Sequence, residues 1–296
     1  MNNLRKIAAG SLAAVLAFSM AACGSSNASS DGTGESTGKA VTVNEKSAKA
    51  TSLADFGTME DLEKAAKDAD GAYYADYTGI MSVGWNADKY GDISSLDDLL
   101  DPKFAGTVAL NGKPAEAGAA FNGYLMANQL AGGDINNLQP GLDYFKKLKE
   151  AGNLTTVDVT NGTIDSGQTG VVFDWTYNQA SYKKELKDKG VNWKYKTFPK
   201  AQVVSYYNQA INKDAPHPAA ARLWEEYLYT ADAQNLWFKG GANPVLLDSM
   251  KEDGTVDQAT LKDAITIEGE PVSYTNDDST RITEWLQNNW DKTIGN

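Results

Sequence analysis

The residues best suited to chemistry lie at the ends of two strand-like runs. Gly170-Val171-Val172-Phe173 leads into Asp174-Trp175-Thr176-Tyr177-Asn178, and a second run carries Ser205-Tyr206-Tyr207-Asn208. Such a set holds a small molecule rather than transforming one: aromatic walls supply contact area and a few polar groups fix orientation. Open α/β sheets bind ligands beyond the carboxyl ends of their strands, which is where 174–178, read as a loop, falls. Side chains alternate along a strand, so Tyr206 and Tyr207 face opposite ways and one of the two belongs to the core. Trp175 and Tyr206 also suit core packing.

Reacting groups are scarce. His217 is the single histidine, and between Pro216 and Pro218 it reads as a surface helix-start residue. There is no Gly-rich phosphate loop followed by Lys-Ser/Thr and no Gly-x-Ser-x-Gly elbow. One histidine and one cysteine do not build a zinc site, so neither a metal nor a cofactor is expected. Carboxylates are plentiful, but no pair has a placement that recommends it for glycoside hydrolysis. With 27 basic and 39 acidic residues the net charge is −12, which argues against nucleic acid or an anionic membrane surface as a partner.

The elements that must position these residues alternate between strand and helix. Strands are predicted at 80–85, 107–110, 170–173 and 203–211. Helices are predicted at 61–67, 95–100 (stopped by Asp101-Pro102), 115–130 (ended by Gly132-Gly133), 142–151 (stopped by Gly152), 218–230 and 232–239. Interleaving of this kind implies an α/β fold.

The N-terminus reads as an export signal. Arg5 and Lys6 precede an apolar run, Ile7 to Ala22, that is short for a membrane span. It ends in Met20-Ala21-Ala22-Cys23-Gly24, which resembles the lipobox of bacterial lipoproteins. That resemblance implies cleavage after residue 22 and a lipid on Cys23, the only cysteine of the chain. Residues 23–50, rich in Ser, Gly, Thr and Lys and free of aromatics, read as a flexible tether.

Three downstream blocks carry a further resemblance. They are Asp76-Tyr77-Thr78-Gly79-Ile80-Met81-Ser82-Val83-Gly84, then 99–110 from Leu99-Leu100-Asp101-Pro102 to Val108-Ala109-Leu110, then 210–221 from Ala210-Ile211-Asn212-Lys213 to Ala219-Ala220-Ala221. These are similar to the solute-binding lipoproteins of bacterial ABC importers, in the iron, polyamine and phosphonate branch. The resemblance implies a two-lobed type II periplasmic-binding fold, with residues 51–86 plus 203–296 as lobe one and 87–202 as lobe two. Segments 77–86 and 203–211 would be the crossovers. It also implies a monomer, held to the membrane by its lipid, that hands a small solute to permease subunits at the outer cell surface.

The implied ligand set is Asp174, Trp175, Thr176, Tyr177, Ser205, Tyr206 and Tyr207, with Asn111 and Glu116 from the junction Asn111-Gly112-Lys113-Pro114-Ala115-Glu116. That junction either offers backbone N–H groups to an anion or is a tight turn. An organic amine ranks first as solute, through Asp174 and cation–π attraction at Trp175. An oxyanion ranks second, through Thr176, Ser205 and Asn111, and Fe(III) third, through Tyr206 and Tyr207. The second-crossover position at which polyamine binders place an Asp carries Tyr207 here.

One departure from the family stands out. Ala50 to Asp70 resembles the family's opening helix, and the chain then passes directly to Gly71-Ala72-Tyr73-Tyr74, which resembles the segment before the first crossover. Lobe one is therefore expected to be incomplete, with exposed edges and apolar helix faces, and the cleft to lack one wall. The competing class is a secreted glycan- or cell-wall-directed hydrolase, since Trp175 and Trp224 would also suit a sugar cleft.

Overall fold

A computed structural model describes residues 74–212, 215–262, 264, 265, 267 and 270–295. The export signal, the tether, the helix expected at 61–67 and the departure at 50–73 lie outside the described residues. All described residues belong to one compact unit, Asp70–Asn296.

The spine is β1 (Tyr74–Asn86), whose aromatic, β-branched and small residues suit a strand buried on both faces. It is longer than the predicted 80–85 because it serves two sheets in turn. Its first part pairs antiparallel with β5 (Val204–Gln209), from Tyr74↔Gln209 to Ile80↔Val204, and with β6 (Asn243–Pro244). Its second part pairs antiparallel with β3 (Val171–Trp175) and β4 (Trp193–Lys196), and β2 (Val108–Leu110) runs parallel to β3. The result is a small sheet, β5-β1-β6, joined through one strand to a larger one, β2-β3-β1-β4.

A bulge between Ala75 and Tyr77 turns Asp76 inward. Its carboxylate, 0% exposed, accepts from the Tyr77 N–H and from Gln209 Nε2, both at 2.8 Å. Burial raises its pKa despite these hydrogen bonds.

On the large-sheet side α1 (Ala87–Tyr90) is capped by Asn86, and two 3-10 turns, Asp97–Leu100 and Pro102–Phe104, replace the single predicted helix at 95–100. The Asp101 side chain accepts from the Lys103 N–H and starts the second turn, so Asp101-Pro102 restarts helical structure rather than ending it. Then follow α2 (Gly118–Leu130), α3 (Gln139–Glu150), α4 (Asn161–Asp165) and α5 (Thr176–Lys187). Helix α3 begins three residues before the predicted 142 because Pro140 sits in its first turn, where its fixed φ favours initiation.

On the small-sheet side lie α6 (Pro218–Leu228), α7 (Ala231–Lys239), α8 (Leu247–Glu252) and α9 (Gln258–Leu261). His217 is the exposed N-cap residue of α6, as its proline-flanked setting predicts. The last helix, α10 (Asn276–Thr293), was not predicted. It opens with a Thr275–Asp278 capping box and buries Ile282, Leu286 and Trp290. Although the sequence groups 203–296 with lobe one, the Trp290 ring meets Tyr124 of α2 and Phe145 of α3 edge-on.

The main core lies between the large sheet and α2, α3 and α10, with Phe104, Tyr124, Phe145, Leu148 and Phe173 fully buried. The small-sheet side is less well covered. Of the exposed large apolar side chains, Tyr74, Tyr206, Leu223, Trp224 and Leu236 all lie there, against Val157 elsewhere. Ala220, Leu223, Trp224 and Tyr227 stand at helical i, i+3, i+4, i+7 spacing on α6, the stripe a helix normally buries. Uncovered helix faces are what an incomplete lobe one predicts.

Candidate functional site

Strand β3 ends and α5 begins without an intervening loop, so the segment 174–178, expected to be a loop, is the junction itself. Asp174 and Trp175 close the strand, and Thr176, Tyr177 and Asn178 form the first helical turn. The N-cap residue Trp175 supplies no side-chain acceptor, so its side chain does not cap the first-turn N–H groups of α5.

Asp174 is 0% exposed. Its Oδ1 accepts from the Trp175 N–H at 2.7 Å and from Asn178 Nδ2 at 2.9 Å. Its Oδ2 accepts from Asn111 Nδ2 at 2.8 Å and from the Tyr182 hydroxyl at 2.9 Å. Desolvation outweighs all four bonds and raises its pKa. Every acceptor direction is used internally, so the carboxylate has no free side with which to pair a solute amine. Asn111 is thereby committed to Asp174, and Trp175, 5% exposed, is part of the core.

Tyr177 and Tyr207 come together with two residues that sequence reasoning missed, Tyr77 and Trp237. The Tyr77 ring is stacked between Tyr207, 4.6 Å away by centroids, and Trp237, 4.4 Å away. Tyr177 meets Tyr77 and Tyr207 edge-on at 6.1 and 5.9 Å and lies parallel to Trp175 at 6.3 Å. The Tyr177 and Tyr207 hydroxyls are hydrogen-bonded to each other. Burial, with the neighbouring Tyr207 and Asp76, pushes the Tyr77 hydroxyl up to about 12, and burial raises Tyr177 further. Burial thus favours the neutral phenol at both Tyr77 and Tyr177.

The other predicted residues scatter. Tyr206 is 53% exposed and diverges from half-buried Tyr207, so neither is fully buried core. The Ser205 carbonyl accepts from the Thr78 hydroxyl at 2.8 Å. Glu116 is exposed and pairs loosely with Lys113 at 4.0 Å. In its turn the Glu116 and Ala117 N–H groups are taken by the Lys113 carbonyl, as in a tight turn.

Thr176 does line a cavity of about 390 Å³, which runs between α5 and β4 on one side and α7, β6 and α9 on the other. The polar groups on its border are Thr176, Tyr195, Lys239, Asn243 and Thr260. The apolar ones are Ala180, Phe238, Ala259, Ala264 and Ile265. Thr176 Oγ1 accepts from the Ile80 N–H at 3.3 Å, which leaves its own hydrogen to donate. Lys239 Nζ rests 2.9 Å from Asp257 Oδ2, and this pairing, with the hydrogen bonds from Thr260, holds the Asp257 carboxyl near 2. Tyr195, Lys239, Asn243 and Thr260 were not predicted. They sit on separate short elements with no shared spacing.

The chain matches the family of bacterial extracellular solute-binding proteins over residues 39–264. The chain belongs to that family. Such proteins serve ABC transporters outside the cytoplasm as binding proteins and not as enzymes. Among solved structures it is similar to a putative extracellular solute-binding protein from Bordetella parapertussis (TM-score 0.58, 14% identity, 78% of this chain and 71% of that one). It is also similar to a spermidine/putrescine substrate-binding protein from Streptococcus pneumoniae (0.54, 14%, 76% and 70%). A third is a sulfate-binding protein from Mycobacterium tuberculosis (0.50, 19%, 76% and 76%). These likenesses establish the periplasmic-binding fold. No curated protein matches the chain in sequence.

Proposed function

We propose that the chain captures a small organic anion in the cavity between its two sheet halves and passes it to an ABC permease. The two halves, with 77–86 and 203–211 as crossovers, act as the lobes. The observation that carries the choice of solute is the border of the cavity. Its described bordering residues include Lys239 and, from the start of α5, Thr176 and Ala180, and no carboxylate is among those described. A helix start and an ammonium both favour negative charge. The Lys239 ammonium pairs with Asp257 at 2.9 Å, and its side chain stays more than half exposed. The volume exceeds what a bare tetrahedral anion fills, and Phe238 and Ile265 give an organic body an apolar wall.

The sequence ranks an amine first, through Asp174. The four internal hydrogen bonds of that carboxylate move the amine below the anion. The fold is shared with a spermidine/putrescine protein and a sulfate-binding protein alike, at identities that favour neither solute.

Export and a lipid on Cys23 complete the reading, supported by the Met20-Ala21-Ala22-Cys23 motif. Thermal-shift measurements with inorganic phosphate, sulfate, glycerol phosphate and spermidine test the solute class, because a ligand bound only by the native state raises Tm. The reading requires a rise with an anionic probe that Lys239→Met abolishes. A rise with spermidine alone would sink it.

A further inference from the structure

One carboxylate ties together two polar residues of the cavity border without bordering the cavity itself. Asp257 is the N-cap residue of α9. Its Oδ1 accepts from the Thr260 N–H and from the Thr260 hydroxyl, both at 2.9 Å. Its Oδ2 takes the Lys239 ammonium at 2.9 Å. Lys239 and Thr260 are bordering residues, and Asp257 is not among those described.

The placement of Asp257 comes from α7. Asn235, one turn before Lys239 on that helix, accepts from the Asp257 N–H at 2.7 Å and donates to the Thr255 carbonyl at 2.8 Å. Val256, 4% exposed, is buried in one cluster with Phe238 and Met250, and Phe238 is itself a border residue. Asn235, Lys239 and this small core fix segment 255–257 on the helix that carries the cation. The Asp257 carboxylate is ionised at neutral pH, because its bonds to Lys239 and Thr260 hold it near 2.

These bonds decide which way the border groups can hydrogen-bond. A hydroxyl has one hydrogen and two lone pairs. Thr260 spends its hydrogen on a charged acceptor, so toward a ligand it accepts only. Lys239 donates only. Thr176, whose oxygen accepts from the Ile80 N–H at 3.3 Å, has its hydrogen left to donate. Asn243 gives one N–H to the Ile265 carbonyl at 2.8 Å and keeps both an N–H and a carbonyl, so it does not discriminate. The border thus sets two donors, Lys239 and Thr176, against one acceptor, Thr260. An anion alone suits the donors and offers nothing to Thr260. An anion that also carries an O–H suits all three.

We propose that Asp257 is the specificity-determining residue of this cavity: it makes Thr260 an acceptor and pins Lys239, and so selects organic anions that carry a hydroxyl over anions of equal charge that lack one. The selection rests on the capture of an organic anion proposed above. Asp257 acts through Thr260 and Lys239 and touches no solute. One hydrogen bond from a solute hydroxyl to Thr260 corresponds to about tenfold in affinity.

Calorimetric titration of the full chain with glycerol phosphate and with propyl phosphate reads this selection, since the two probes share charge and chain length and differ in their hydroxyls. Wild type is expected to bind glycerol phosphate about tenfold more tightly. Thr260→Val removes the acceptor, keeps the backbone N–H bonded to Asp257, and should bring the ratio of the two affinities to about one. Asp257→Asn removes the charged acceptor, releases the Thr260 hydrogen, and should do the same. Thr260→Ser, which keeps a hydroxyl, should retain the wild-type ratio. A general loosening of the border lowers both affinities together, so the ratio separates selection from a purely structural role. A wild-type ratio below about threefold, or a ratio that either Thr260→Val or Asp257→Asn leaves above about threefold, would overturn the proposal while anion capture stands. Binding of neither probe by wild type would remove the capture reading and the proposal with it. Should Asp257→Asn fail to fold by circular dichroism, Thr260→Val decides alone.

Discussion

Asp174→Ala separates a structural carboxylate from a solute-binding one. The substitution removes the acceptor for four hydrogen bonds, from Trp175 N, Asn178 Nδ2, Asn111 Nδ2 and Tyr182 OH. Bonds to a charged acceptor contribute about 1.5–3 kcal/mol each. Relief of the buried charge returns several kcal/mol, and the three side-chain donors, partly exposed, regain water. The net loss is about 2–4 kcal/mol, which at an m-value of roughly 2 kcal/mol/M lowers the urea midpoint by about 1–2 M. Equilibrium urea unfolding followed by tryptophan fluorescence reads this directly.

Asp174→Asn adds a pH test. Burial raises the Asp174 carboxyl, so the native state holds that proton more tightly than the unfolded chain does. The resulting stabilisation is present below the ordinary value of about 3.9 and fades as pH rises through the folded value. Wild type should therefore lose stability relative to Asp174→Asn between about pH 4 and neutrality. A midpoint shift below about 0.3 M in Asp174→Ala, or a wild-type stability that rises relative to Asp174→Asn over that range, would refute the structural assignment.

Other positions give sharper single outcomes. Gly84→Ala places a Cβ 2.0 Å from Gln179 Oε1 and 2.8 Å from Trp193 Nε1. It should break the 2.8 Å bond between those two side chains and cost about 2 kcal/mol or more, measured by urea midpoint. Leu223→Lys with Trp224→Glu should lower self-association in static light scattering while changing stability by less than about 1 kcal/mol, because both side chains are more than half exposed. Cys23→Ser should abolish incorporation of radiolabelled palmitate in a bacterial host, and undiminished labelling would remove the lipid-anchor reading.

The sequence exposes what depends on local pattern and hides what depends on distant partners. Strand β1 was visible at 80–85 from its apolar run, but its extension to Tyr74 comes from pairing with β5 and β6, more than a hundred residues away. Helix α5 was invisible because its buried face is partly polar. Gln179, 0% exposed, donates to the Val172 carbonyl and accepts from Trp193 Nε1, so the apolar period is broken where the core is made. Helix α10 carries only Ile282, Trp285, Leu286 and Trp290 as large apolar residues among polar ones, and its companions Tyr124 and Phe145 lie far upstream.

The candidate site divides in the same way. Thr176, Tyr177 and Tyr207 were identifiable as polar and aromatic groups near strand ends. Asp174 carried the same signature, yet nothing in its spacing reveals that Asn111 and Tyr182 occupy it. Lys239, Asn243 and Thr260 reach the cavity from three short elements, and only the fold brings them together.

Isothermal titration calorimetry of the chain with inorganic phosphate, sulfate, glycerol phosphate and spermidine tests the capture of an organic anion most directly. Saturable heat is predicted for an anionic probe, strongest for the one with an organic body, weakened at least about tenfold in Lys239→Met by loss of a charge-assisted contact. Saturable heat with spermidine alone, or anion binding of equal strength in Lys239→Met, would contradict it.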